Sequence, residues 1–136
     1  MKNAGIKLKI NSVISKLNYE EDLSWLIEKL EPERWKVFQI LEIKNQHQQN
    51  LQDLLISNSK FEIFVKKHKY LNPIIEDTNL MLDSYLMIDP LGRFYQNTEN
   101  SYIFSAPILN VGLNEALREI YFDPMKFKRR GGMYAW

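Results

Sequence analysis

The sequence predicts an α/β fold organised around a βαβ unit, and its polar pattern favours a closed or partial (β/α) barrel. Residues 6–14 alternate between apolar and polar side chains, an amphipathic helical stretch follows, and residues 35–43 form a second apolar run. A strand, a helix and a strand in such close succession are typical of parallel strands joined by a right-handed crossover. Lys7, Lys9 and Asn11 lie opposite the apolar strand face, whereas a doubly wound sheet is apolar on both faces. A barrel accommodates these residues because its helices cover the outside while polar side chains line its mouth.

The helix between the two strands has predicted signals at both ends. Asn18 is expected to cap its N-terminus, and Glu21 occupies the capping-box position three residues later. Pro32 ends the helix because proline cannot continue one. The residues with the spacing of one buried stripe are Leu23, Leu26, Ile27 and Leu30.

The middle of the chain predicts two short helices and a β-hairpin. The helices are expected over residues 45–56 and 59–68, with Ser59 capping the second. The tetrapeptide DPLG, residues 89–92, has the composition of a type I turn between two short strands.

The C-terminal stretch predicts two more helices. One is expected over residues 113–121, and Asp123 followed by proline indicates the beginning of another. We expect two parts in the chain, residues 1–69 with the βαβ unit and its following helices, and residues 70–136 as an extension.

The composition is that of one modest globular domain, with 136 residues, 45% hydrophobic and 26% charged. The net charge of +1 provides no general field that would attract nucleic acid or an acidic membrane, so neither is expected as a partner. The sequence shows no bilayer-spanning apolar run and no signal peptide, and the expected location is the cytoplasm. It contains no cysteine, so it offers neither a disulfide nor a thiolate ligand for a metal or an iron–sulfur cluster.

Cations on the two predicted strands suggest an anion site. Lys9, Arg34 and Lys36 would place two ammonium groups and one planar guanidinium on the same face, a mixture that suits phosphate. Asn11 could add a neutral hydrogen bond. A solvated sheet face, or lysines whose stems cover apolar surface, would produce the same pattern, and the sequence leaves both interpretations open.

Several ordered segments resemble one known family. They extend from about Ile6 to Trp136 and include KINSVI, EEDL, ERWKVFQ, FVKKHK, DSYLMIDPLGRF, ILNVGLNEAL and RGGMYAW. In this order they are similar to the C-terminal part of the viperin-like radical S-adenosylmethionine nucleotide dehydratases.

The resemblance implies both a fold and a reaction. The fold would be the C-terminal portion of a partial (β/α)6 radical S-adenosylmethionine barrel, followed by a small α+β extension with a β-hairpin that covers the nucleotide site. In the whole enzyme, a four-iron-four-sulfur cluster and S-adenosylmethionine generate a 5'-deoxyadenosyl radical that removes the C4' hydrogen of a ribonucleoside triphosphate. Loss of the 3' hydroxyl then gives a 3'-deoxy-3',4'-didehydro nucleotide, which terminates viral RNA chains.

The resemblance also assigns roles to individual residues. Lys9, Arg34 and Lys36 match positions that hold the triphosphate, and Asn11 matches a position beside substrate and cofactor. Tyr85 matches a tyrosine proposed to assist hydrogen or proton transfer; an ordinary strand aromatic is the other interpretation.

The C-terminal basic segment has a similar pair of interpretations. FKRRGGMY matches a region that packs over bound nucleotide, where Arg130 could reach a phosphate and Gly131 and Gly132 would permit close backbone approach. A solvated basic face of Lys126, Lys128, Arg129 and Arg130 is the alternative.

Two departures from the family limit what the chain is expected to do. The CxxxCxxC motif that ligates the cluster is absent, so this chain alone should be inactive and would need an N-terminal radical S-adenosylmethionine portion from the same gene or from a separate chain. NTENSYIF lacks the cations of vertebrate members, so their nucleotide preference is not transferred to this chain.

Two alternatives to the enzyme interpretation remain. The chain could be an inactive remnant that binds a nucleotide or a protein, or a non-functional truncated product. His47 and His68 are expected to be structural or exposed because neither has an evident set of metal ligands.

Overall fold

The computed structural model describes residues 4–42, 51–99 and 101–134, which form two compact units. Of these residues, the first unit contains 4–42, 51–78 and Tyr134, and the second contains 79–99 and 101–133. Ile43 and His47, and with them the first half of the helix predicted over 45–56, lie outside the described residues.

The first unit is a three-stranded parallel sheet with helices packed on one face. Its strand order is β1-β2-β3, and β1 pairs in parallel with β2, which confirms the predicted βαβ unit. The elements in chain order are β1 Lys9–Ile14, α1 Ser24–Leu30, β2 Arg34–Gln39, α2 Asn58–His68, a 3-10 turn Lys69–Leu71 and β3 Ile74–Glu76. The third strand was not predicted, because three residues are too few to show a periodic pattern.

The core of the first unit lies between the sheet and its helices. The buried side chains that form it are Ile14, Ile27, Trp35, Val37, Phe61 and Phe64. Trp35 and Val37 are two positions apart on β2, so they lie on the same face of the strand, which packs into the core. The residues between and beside them lie on the opposite face.

The predicted cap of α1 was wrong. Asn18 belongs to a turn directly after β1, where its Oδ1 accepts the Ser15 N–H at 2.8 Å and its Nδ2 donates to the Val13 carbonyl at 3.0 Å. With its side chain used there, the helix begins only at Ser24 and Glu21 lies outside its first turn. The helix ends at Leu30, close to the predicted Pro32 boundary.

The segment before α2 also differs from the prediction. Residues 51–56 are the described part of the helix expected over 45–56; they form no helix, and residues 51–54 form a turn instead. Ser57, not Ser59, caps α2, because Ser57 has extended backbone geometry and its side chain accepts the Lys60 N–H.

The second unit is a three-stranded antiparallel sheet with short helices. The sheet order is β4-β5-β6, and the core is Phe94, Ala116 and Ile120. The elements are α3 Thr78–Met81, which leads into the unit, β4 Met87–Ile88, β5 Arg93–Asn97, β6 Tyr102–Pro107, α4 Ile108–Val111, α5 Leu113–Arg118 and α6 Pro124–Arg129.

The predicted hairpin turn is confirmed between β4 and β5. The Gly92 N–H donates to the Asp89 carbonyl at 3.0 Å, and Gly92 has φ of +71°, a conformation that favours glycine. Partial burial acts to raise the pKa of the Asp89 carboxyl, but hydrogen bonds from Arg93 and from the Leu91 N–H outweigh it and hold the pKa below its usual value.

The C-terminal helices agree with the prediction at their beginnings and differ at one end. Helix α5 begins at Leu113 but ends at Arg118, and the Asp123 backbone is extended where it caps α6. The Asp123 carboxylate accepts the N–H groups of Met125 and Lys126, and α6 begins at Pro124 as predicted. None of the helices within the described ranges combines the length and apolar composition required to cross a bilayer.

Candidate functional site

The polar residues of β1 and β2 form matched pairs across the two strands. Lys9 lies opposite Arg34, and Asn11 lies opposite Lys36. Because side chains alternate along a strand and the two strands are in register, all four belong to one face of the sheet, opposite the core. We call these four residues the polar face; it is the face that the sequence predicted.

The two strands differ in how far they expose the polar face. Lys9 and Asn11 are exposed on β1, which lies at the edge of the sheet, whereas Arg34 and Lys36 on the central strand β2 are buried. The polar face therefore presents one ammonium to solvent and holds two cations within the protein.

Lys36 forms a buried ion pair with Glu76 of β3. The lysine side chain is 5% exposed and the glutamate side chain is fully buried. A buried ammonium requires a compensating charge, and the carboxylate supplies it on the same face. Glu76 was missed as a site residue because the strand that carries it was not predicted.

Arg34 is stacked against an aromatic ring from the C-terminal segment. Its guanidinium carbon lies 3.7 Å from the ring centroid of Tyr134, in cation–π geometry. The family resemblance matched the segment that contains Tyr134 to a region that packs over bound nucleotide. The sequence did not identify Tyr134 as a partner of Arg34. The contact fixes the plane of the guanidinium.

Tyr85 and Arg130 belong to the second unit and lie against each other. The Arg130 guanidinium carbon is 3.6 Å from the Tyr85 ring centroid. Arg130 also donates from Nε and Nη2 to the Ser84 carbonyl, at 3.2 and 2.8 Å. Tyr85 precedes β4 and is not a strand aromatic. Since Arg130 is buried, it is not part of a solvated basic face, although Lys128 and Arg129 are exposed.

The glycine pair after α6 makes the expected close approach, but within the chain itself. Gly131 has φ of +66°, in the left-handed region. A Cβ on Gly132 would lie 2.4 Å from the nearest atom of the Phe127 ring, so only glycine allows the backbone to pass there undistorted.

His68 has a structural role, as predicted. It is fully buried beside Trp35 and Phe64. Its Nε2 accepts the Leu23 N–H at 2.9 Å while Nδ1 donates to the Phe64 carbonyl at 2.8 Å, an arrangement that requires the neutral ring.

The side chains of this chain do not fit an iron–sulfur cluster. The sequence has no cysteine, and the described residues contain no group of three or more His, Cys, Asp or Glu side chains that could hold a metal ion. Cluster ligation is therefore not a task of the residues described here.

Curated relatives match nearly the whole of this chain. The chain is 41% identical over 133 residues to the S-adenosylmethionine-dependent nucleotide dehydratase of Flammeovirga pacifica, covering 97% of this chain and 46% of that protein. It is 43% identical over 132 residues to the enzyme of that name from Psychrobacter lutiphocae, covering 94% of this chain and 42% of that protein. The S-adenosylmethionine-dependent nucleotide dehydratase RSAD2 of Oncorhynchus mykiss is 39% identical over 137 residues, covering 96% of this chain and 39% of that protein. No protein-family model matches the chain.

The chain is homologous to one part of the viperin-like S-adenosylmethionine-dependent nucleotide dehydratases. The resemblance identified from the sequence segments is thus confirmed at the level of the family. The chain spans less than half the length of each of these relatives. The polar face and the Tyr85–Arg130 pair both belong to the segment that this chain shares with the viperin-like dehydratases.

Proposed function

We propose that this chain supplies the triphosphate-binding face and a proton- or hydrogen-transferring tyrosine to a radical S-adenosylmethionine nucleotide dehydratase. The whole enzyme would convert a ribonucleoside triphosphate to its 3'-deoxy-3',4'-didehydro form, a chain terminator in antiviral defence. The observation that supports this proposal most directly is the polar face, whose cations are paired across two parallel strands of a chain homologous to nucleotide dehydratases.

The polar face suits a polyanion because its groups differ in mobility. Lys9 offers an exposed, flexible ammonium, and Asn11 an exposed amide that can donate a hydrogen bond. Arg34 adds a planar guanidinium that is buried and stacked on the Tyr134 ring. The carboxylate of Glu76 largely offsets the positive charge of Lys36, so Lys36 contributes less net positive potential than Lys9.

The remaining strands of the barrel, and the thiolates that hold its cluster, would come from an N-terminal radical S-adenosylmethionine portion. Among the described residues, β1 pairs only with β2, so its other edge is where further strands would join. The cluster and S-adenosylmethionine would supply the radical. The task of this chain would be to bind the triphosphate and to supply the Tyr85 hydroxyl for hydrogen or proton transfer.

We propose a free ribonucleoside triphosphate, rather than a nucleic acid or a membrane, as the ligand, and the cytoplasm as the location. A net charge of +1 provides no field for extended polyanions, whereas the polar face concentrates cations locally. The nucleobase is not specified by these residues, because all of them would act on the triphosphate or the sugar.

Replacement of Lys9 tests the binding role in the enzyme completed with its N-terminal portion. Lys9→Ala should weaken ribonucleoside triphosphate binding by about 1.5 to 3 kcal/mol, roughly 10- to 150-fold in Kd, because it removes a charged hydrogen bond. S-adenosylmethionine binding should change little. Lys29→Ala, an equal loss of charge at an exposed position of α1, is the matched control and should leave both affinities intact. Equal weakening of both ligands by Lys9→Ala would contradict the proposal.

Product analysis tests the reaction itself. The isolated 136-residue chain, after anaerobic treatment with iron and sulfide, should form no 5'-deoxyadenosine, because it has no cysteine to hold the cluster. With the N-terminal portion added, nucleotide-dependent 5'-deoxyadenosine and a dehydrated nucleoside triphosphate should appear together. S-adenosylmethionine cleavage that leaves every ribonucleoside triphosphate intact would refute the dehydratase assignment. Nucleotide binding with no reaction at all would favour the inactive remnant.

A further inference from the structure

Arg130 makes three contacts on one short segment of the second unit. Its guanidinium lies 3.6 Å from the Tyr85 ring centroid, and its Nε and Nη2 donate to the carbonyl of the preceding residue, Ser84. The residue is 7% exposed. The guanidinium thus donates hydrogen bonds to the backbone just before the tyrosine and stacks on the tyrosine ring at the same time.

Both sides of this contact are held in place by the fold. Ser84 is fully buried, and its hydroxyl donates to the Leu80 carbonyl in the preceding helical turn. Arg130 follows α6, and its own N–H donates to the Lys126 carbonyl at 3.0 Å. The Phe127 ring lies 5.0 Å from the guanidinium. The arginine is therefore a fixed support for the tyrosine rather than a mobile surface cation.

We propose that Arg130 is a positioning residue for Tyr85 and that its role in the reaction is exerted through the tyrosine, not through a phosphate. The proposal rests on the proposed function for the chemistry of Tyr85. The family resemblance suggested that Arg130 could reach a phosphate, whereas in the structure its guanidinium donates to Ser84 and stacks on Tyr85. Lysine could not reproduce this arrangement, because an ammonium has no plane to stack on a ring while donating twice to one carbonyl.

The two roles predict different kinetics for Arg130→Lys in the completed enzyme. If Arg130 positions Tyr85, the variant should lose about 100-fold in kcat with KM for the nucleotide nearly unchanged, because the reacting group is displaced while the triphosphate is still held. If Arg130 binds phosphate, the lysine should preserve both constants and Arg130→Gln should raise KM. Arg129→Gln removes the same charge at the neighbouring exposed position and is the matched control.

A double-variant cycle shows whether Arg130 acts through Tyr85. Once Tyr85→Phe has removed the hydroxyl, adding Arg130→Gln should lower kcat by no more than about twofold further, because residues that act as a unit are not additive. The positioning role would be overturned if the losses in kcat from Tyr85→Phe and Arg130→Gln were fully additive. It would also be overturned if Arg130→Lys had the kcat of the unsubstituted enzyme.

Fluorine NMR separates failure of this proposal from failure of the proposed function. With 3-fluorotyrosine placed at position 85 of the 136-residue chain, Arg130→Lys should move the fluorine resonance, and Arg129→Gln should not. An unmoved resonance overturns the positioning proposal whatever the activity of the enzyme. If the resonance moves but the completed enzyme dehydrates no nucleotide, the contact is supported and the proposed function alone is overturned.

Discussion

Removing the Lys36 ammonium should unfold the first unit at a much lower urea concentration. Lys36→Met keeps most of the length of the side chain but removes the ammonium that lies against the carboxylate of Glu76. Since the two side chains are 5% and 0% exposed, water cannot take over the role of the lysine. Breaking such a buried pair from one side costs about 3 to 5 kcal/mol.

The expected shift is large enough for ordinary equilibrium unfolding. With a urea dependence of about 2 kcal/mol per molar, a loss of about 4 kcal/mol lowers the midpoint by about 2 M. Trp35 is a suitable probe, because it is 4% exposed and adjacent to Lys36 in β2. Its fluorescence would be followed in a variant in which the other two tryptophans, Trp25 and Trp136, are both replaced by phenylalanine, so that the signal comes from Trp35 alone.

Two further variants make the reasoning refutable. Lys36→Met combined with Glu76→Leu should recover most of the lost stability, because a buried pair replaced by apolar side chains no longer leaves a charge in the interior. Glu62→Gln breaks an exposed ion pair with Lys66 on α2, where the side chains are 62% and 75% exposed, and should cost at most about 0.5 kcal/mol. The argument fails if Lys36→Met has the same midpoint as Glu62→Gln, or if the double variant is less stable than the single one.

Three other substitutions test separate parts of the two units. His68→Phe should lower the free energy of unfolding by about 1 to 3 kcal/mol in urea, because the Leu23 N–H loses its acceptor; no change would contradict the buried hydrogen bond. Asp89→Asn should lower the thermal midpoint at neutral pH. Because the folded-state pKa of Asp89 is depressed, this difference should be present above about pH 4 and vanish as the pH falls through that depressed pKa; a pH-independent difference would refute the assignment. Gly132→Ala should destabilise the second unit by about 1 to 3 kcal/mol, and Phe127→Ala should remove most of that penalty if the ring is the obstacle.

Local features of the chain were predictable where the physical cause lies within a few residues. The hairpin turn at residues 89–92 follows from the conformational preferences of aspartate, proline and glycine, and the Asp123 cap follows from its side chain reaching the next two N–H groups. The same holds for the parallel pairing of β1 and β2, since a short connection through one helix leaves few alternatives.

Prediction failed where one side chain had two local uses. Asn18 has the composition expected of a helix cap, but it closes the turn after β1, where two hydrogen bonds to Ser15 and Val13 occupy its amide. Ser57 and Ser59 are both suitable caps by residue type, and only the extended backbone at Ser57 decides between them.

The polar face of the sheet was predictable from the sequence, because on each strand its residues, Lys9 and Asn11 or Arg34 and Lys36, alternate with apolar side chains that pack into the core. The contacts of these and the other site residues were not predictable and became evident only in the folded chain. Glu76 meets Lys36 across 40 residues, and Arg130 meets Ser84 across 46. Contacts over such separations leave no periodic trace in the chain. They form because a charge or a guanidinium that packing has removed from water must be compensated by whatever group the fold brings beside it.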